Sequence, residues 1–182
     1  MTNKDKTMSK MEKLQKEGLE AFRDGNYELA QSRFEALLEI AEAEGQPVKA
    51  AEALNDLGVT RKQLGDLDGA MEALRRALKY YQDNDDELGE AKTLGNFGMV
   101  EEAAEKYEDS IQSYLDAASI FEELGETELA TFTWQALSKL QLRQKDWLNA
   151  IASYERGLDN LPDNSVKKKF IKNLLKAPGK FM

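Results

Sequence analysis

The side chains in this sequence best suited to chemistry are carboxylates. Glu101, Glu102, Glu105, Glu108 and Asp109 crowd one short stretch, and Asp83-Asn84-Asp85-Asp86-Glu87 carries the residue types of a calcium loop. Neither cluster is completed. An EF-hand loop needs glycine at its sixth position for the turn and glutamate at its twelfth for bidentate ligation. Counted from Asp83, those positions hold Leu88 and Leu94. The acidic run has no nucleophile, oxyanion-stabilising motif or glycine-rich phosphate loop beside it, and such a run reads as a solvated face. There is no histidine and no cysteine. The commonest general base, the commonest zinc ligand, the thiol nucleophile and the disulfide are therefore all missing. These residues point away from an enzyme and imply no cofactor and no metal.

Charge narrows the partners. The net charge is −9 at pH 7 over 182 residues, which disfavours nucleic acid, since affinity for phosphates comes mainly from lysine and arginine displacing counterions. The balance is uneven. Residues 91–130 hold ten acids against Lys92 and Lys106, whereas residues 163–182 hold six lysines against Asp163. No apolar run is long enough to span a bilayer, and Met1 to Lys10 is polar, so the expected location is cytoplasmic and a membrane partner is not expected. Nothing in the sequence indicates self-association.

The elements that must position any site are helices. Ala, Glu, Leu, Lys and Gln dominate and proline is scarce, a composition of strong helix formers. The chain also repeats itself every 40 residues. Leu14 aligns with Leu54, Leu94 and Trp134; Gly18 with Gly58, Gly98 and Ser138; Tyr27 with Leu67, Tyr107 and Trp147. Ala30 aligns with Ala70, Ser110 and Ala150, and Phe34 with Leu74, Tyr114 and Tyr154. A sixth column, Leu37, Ala77, Ala117 and Gly157, stays small after its first member. Within a unit, Leu54, Leu57, Gly58 and Arg61 are spaced to share one helical face. Gly58 on that face admits a second helix, which brings the equally small Ala70, then Leu74 and Ala77. Between the two, Gly65 can end one helix in the left-handed conformation and Asp66 can cap the next.

These columns resemble the tetratricopeptide repeat family, whose pattern runs large residue, Leu-Gly, aromatic, Ala, large residue, Pro. The second unit supplies Leu54, Leu57-Gly58, Ala70, Leu74 and Ala77; the fourth supplies Trp134, Leu137-Ser138, Ala150, Tyr154 and Pro162. The resemblance covers residues 11–162. It departs from the family at Glu105 and Lys145, which replace turn glycines, at Glu17, and in its period, 40 against the usual ~34. The extra residues are expected in the second helix and the connector. The resemblance implies an all-α fold: a right-handed α-solenoid of four tetratricopeptide helix pairs over about 11–50, 51–90, 91–130 and 131–162. A flexible leader over 1–8 and a C-terminal capping helix and tail over 163–182 complete it. Helices are expected near 9–24, 27–44, 47–64, 67–83, 87–104, 107–124, 127–144, 147–161 and 164–176.

The resemblance further implies a non-catalytic scaffold that holds a partner protein or peptide in a groove lined by the first helix of each pair. The family's groove positions correspond here to Gln15, Leu19 and Phe22; Asn55, Val59 and Lys62; Lys92, Met99 and Glu102; and Phe132, Gln135, Lys139, Leu142 and Arg143. Leu19, Val59 and Met99 would form an apolar strip ending at Lys139. The basic clamp by which the chaperone-adaptor members hold a terminal carboxylate is not matched. Its positions hold Gln15, Leu19, Asp56, Lys92 and Asn96, of which only Lys92 fits.

The tail is amphipathic. Phe170, Ile171, Leu174 and Leu175 share a face, with Lys167, Lys168, Lys169, Lys172 and Lys176 mostly outside it. It is expected to close the open end of the array, which needs a polar outer cap. The alternative is an assembly factor or peripheral-membrane adaptor that uses this basic helix as its contact.

Overall fold

The computed structural model describes residues 9–160, and every regular element in that span is an α-helix. In order they are α1 (Lys10–Arg23), α2 (Tyr27–Ala43), α3 (Pro47–Leu64), α4 (Leu67–Asp83), α5 (Glu87–Ala103), α6 (Tyr107–Glu123), α7 (Thr127–Arg143) and α8 (Trp147–Asp159). Each lies within two residues of its expected bounds. The leader, Pro162 and the basic tail helix fall outside the described residues.

The ends of the helices follow from their sequence. Ser9 and Glu12 form a reciprocal capping box at the start of α1, satisfying amides that the first turn leaves without partners. The side chains of Asn26, Asp66, Asp86 and Asp146 accept hydrogen bonds from the first turns of α2, α4, α5 and α8. Pro47 opens α3, where its missing N–H costs nothing.

The joints between helices recur every 20 residues. Gly25, Gly45, Gly65 and Gly125 have φ of 77°, 64°, 82° and 72°, and Asp85, Glu105 and Lys145 take the same left-handed backbone at 53°, 59° and 61°. Contrary to the expectation from the sequence, the residues beyond the family's usual period therefore do not lengthen the connector. The linkage between pairs is as tight as the turn within one, and first and second helices are of nearly equal length, 17 or 18 residues from α2 to α7. A side chain costs about 1–2 kcal/mol in the left-handed region, while glycine loses more backbone entropy on folding. Glu105→Gly and Lys145→Gly should each raise stability by about 0.5–1 kcal/mol. A lower urea midpoint for either variant would contradict this account of the joints.

Each helix packs on its neighbours in the chain, and α3 also meets α5. The second helices are one-sided: α4 buries Ala70, Met71, Ala73, Leu74, Ala77 and Tyr81. The first helices α3 and α7 are buried round more of their circumference, and α3 meets α5 as well as its two chain neighbours. On α7 the buried residues include Thr131, Thr133, Ser138 and Gln141 beside Trp134, Leu137 and Leu140. The core is a chain of small clusters. One gathers Phe34, Leu54, Leu57 and Tyr81; another gathers Tyr114, Trp134, Leu137 and Leu140.

The small-residue column sets the spacing inside each pair. A Cβ at Gly58 would stand 2.5 Å from Leu74 Cγ, and one at Gly18 2.6 Å from Phe34 Cε1. The fourth pair carries Ser138 at this position, and its hydroxyl donates to the Ala150 carbonyl at 2.7 Å. In the third pair the bond runs the other way, from the Ser110 hydroxyl of the second helix to the Gly98 carbonyl at 2.7 Å. Buried hydroxyls are thus satisfied by the backbone they approach.

Glu122 on α6 ties the last two pairs together. It accepts from Trp134 Nε1 at 2.8 Å, from Arg156 at 2.7 Å and from Asn160 at 2.9 Å. Arg156 also stacks over the Trp134 ring, 5.1 Å from its centroid. Burial alone would raise the Glu122 carboxyl, but the hydrogen bonds from Arg156, Asn160 and Trp134 outweigh it and hold the group below its usual value.

Candidate functional site

The first helices share one face, and a concavity on it lies between α3, α5 and α7. Its volume is about 800 Å³. Met99 and Glu102 line it from α5, Lys62 from α3, and Phe132, Gln135, Lys139, Leu142 and Arg143 from α7. Eight of the fourteen residues placed in the groove by resemblance therefore meet in one pocket.

Its walls are apolar and its charges are specific. Phe132 is 69% exposed and Leu142 42% exposed, far more than their side chains would be in a core. Glu102 forms an ion pair with Arg143 and accepts the Tyr114 hydroxyl at 3.2 Å. Burial, with the nearby Glu101, pushes the Tyr114 phenol up to about 12, so it remains a donor at neutral pH. Lys62 and Lys139 form no ion pair among the described residues.

A second concavity of about 280 Å³ takes Gln15, Asn55 and Lys92 together with Glu52, Asp56, Tyr81 and Asp86. The Asn96 amide donates to Asn55 Oδ1 at 2.9 Å, linking α5 to α3 directly. Burial, then repulsion from Glu52, raises the Asp56 carboxyl from 3.8 to about 7. Leu19 and Gln15 line a third, shallower hollow along α1.

Two groove positions are placed differently from expectation. Phe22 packs on the first core cluster and meets the Tyr27 ring edge-on at 5.3 Å, so it is largely structural. Val59 is half-buried on α3 and lines none of the three concavities. Met99 is partly buried against the cluster around Trp134. The apolar strip from Leu19 to Met99 is therefore interrupted; among the groove positions Phe132 is the most exposed large apolar side chain, with Leu19 and Leu142 equally exposed behind it.

Reading the first helices alone misses Tyr81 and Tyr114, which reach the shared face from second helices. Each passes a glycine. A Cβ would lie 2.2 Å from the Tyr81 ring at Gly89 and 2.7 Å from the Tyr114 ring at Gly98. The signal in the sequence was a tyrosine opposite a glycine, with a hydroxyl that must find a polar partner when its ring is buried.

Comparison with known proteins agrees with this architecture. The tetratricopeptide repeat family matches residues 18–83 and 89–163. No curated protein matches the chain. The crystal structure of BtubC from P. vanneervenii is similar, with a TM-score of 0.71 at 19% identity over 96% of this chain and 68% of that one. The apo form of RapI gives a TM-score of 0.77 at 17% identity over 97% of this chain and 66% of that one. MamA gives 0.51 at 16% identity over 83% of this chain and 91% of that one. At these identities the likeness is one of fold. The family match spans most of the residues, and the chain belongs to the tetratricopeptide repeat family.

Proposed function

We propose that this protein is a non-catalytic scaffold that binds a segment of a partner protein on the face formed by its first helices, with the pocket between α3, α5 and α7 as the main site. Tetratricopeptide repeats generally mediate protein–protein interactions. The observation that carries the reading for this chain is the exposure of Phe132 and Leu142 inside a concavity rimmed by charge. Apolar side chains gathered in that way mark interaction sites, whereas scattered ones do not. No helix among the described residues is long and apolar enough to cross a membrane.

Because Phe132 and Leu142 are exposed, charging both should leave the helices intact and remove binding. The native chain, Phe132→Glu/Leu142→Glu and the control Leu29→Glu, which alters a 39% exposed leucine on α2, would each be used for affinity capture with quantitative mass spectrometry. The double variant should lose at least tenfold of the partner that the native chain and the control retain, a loss of about 1.4 kcal/mol or more. Equal recovery by all three, at unchanged helicity by circular dichroism, would exclude this pocket as the site.

A further inference from the structure

We propose that the pocket between α3, α5 and α7 selects a protein segment carrying an apolar anchor side chain beside aspartate or glutamate residues. This deepens the functional reading above and rests on it.

The argument is a local inversion of charge. The chain as a whole has 34 acids against 25 bases. The pocket has three bases, Lys62, Lys139 and Arg143, against Glu102 alone. Glu102 is already engaged, by Arg143 and by the Tyr114 hydroxyl. That leaves Lys62 and Lys139 without an ion pair among the described residues, and a guanidinium with further donors to offer. Concave, low-dielectric walls focus the field of such charges. A carboxylate brought between them replaces water as their counter-charge. A basic segment would meet two lysines without an ion pair and find only a carboxylate that Arg143 already satisfies.

Charge alone does not describe the occupant. Phe132 and Leu142 stand exposed along the same wall, and they need an apolar side chain to remove them from water. At about 800 Å³ the pocket lies within the ~300–1,000 Å³ of typical ligand clefts and has room for more than one side chain. An anchor against α7 with acidic neighbours reaching Lys62 and Lys139 satisfies both requirements at once. The chain's remaining negative charge is screened within roughly 8 Å at physiological salt, so the local positive charge decides the preference at contact.

The test is selection from a phage-displayed library of random twelve-residue peptides on the full chain. Enriched peptides should place Leu, Phe or Trp within a few positions of two or more Asp or Glu. Measured by fluorescence anisotropy, they should bind Lys62→Glu/Lys139→Glu at least tenfold more weakly, and Lys62→Gln/Lys139→Gln at least threefold more weakly. Both variants change side chains outside the core, and their helicity is checked alongside. Enrichment of neutral or basic peptides, still sensitive to Phe132→Glu/Leu142→Glu, would overturn the charge preference and leave the groove reading standing. So would acidic peptides that bind both lysine variants as well as the native chain. Failure to enrich any peptide would overturn both.

Discussion

Gly98→Ala will destabilise the protein by about 1–3 kcal/mol, and Gly95→Ala, one turn earlier on the same helix, will stabilise it by up to about 1 kcal/mol. The opposite signs come from what each Cβ would meet. At Gly98 it would lie 2.7 Å from Tyr114 Cε1 and 2.8 Å from Cδ1. Tyr114 is 3% exposed, and its hydroxyl is held by Glu102, so the ring can retreat only by opening the core or losing that bond. At Gly95 nothing stands within 4 Å. There the methyl group only removes the conformational freedom that glycine gives the unfolded chain. Gly58→Ala should behave like Gly98→Ala, because Leu74, fully buried, lies 2.5 Å from its added Cβ. Denaturant midpoints at constant slope decide the matter. A Gly98→Ala variant within about 0.5 kcal/mol of the parent would mean that the second helix can shift outward freely, and the close approach would not be a constraint.

Asp56→Asn will stabilise the protein at pH 8 and do nothing below about pH 4. Asp56 lines the smaller concavity with Glu52 on its own helix, Tyr81 from α4, and Asp86 and Lys92 at α5. Burial, then Glu52, raises its carboxyl from 3.8 to about 7 in the folded chain. Between those values the folded protein holds a proton that the unfolded chain has released. The stability contributed is therefore fully present below pH 3.8 and is lost as pH rises through 7. At 1.36 kcal/mol for each pH unit, the displacement sets a ceiling of about 4 kcal/mol. Water reaching a half-buried group lowers this, and a gain of about 2 kcal/mol is expected. Melting temperatures of parent and variant across pH 4–8 test the sign. The gap between them should open as pH rises, and a gap independent of pH would show that Asp56 titrates normally.

The helices were legible because four copies of one pattern constrain each other. Glu105 and Lys145 stood out in the sequence as departures from the turn glycines, yet their alignment with Gly25 and Gly65 places them at joints, and both take the left-handed backbone of the glycines they replace. Most of the pocket was legible for the same reason, since Phe132, Lys139 and Leu142 follow from register on α7. Contacts across pairs were not. The Glu102–Arg143 and Asn55–Asn96 links depend on how far one pair is rotated and displaced from the next, and a one-dimensional period carries no such term. The half-burial of Phe22 and Val59 was not legible either, because a residue beside the packing column is exposed or covered according to how its own helix sits against its neighbours.

The even spacing of the joints also governs how such a chain can change in length. Each residue in a helix turns the chain by about 100°, so one codon lost from α5 would swing Phe97 and its neighbours off the core and misdirect everything after them. Forty codons duplicated between two equivalent joints would instead bring in a helix pair whose two faces already fit those on either side. A gene for this protein can therefore grow or shrink in whole pairs while remaining foldable at each step, with the reach of the array as the trait on which selection acts.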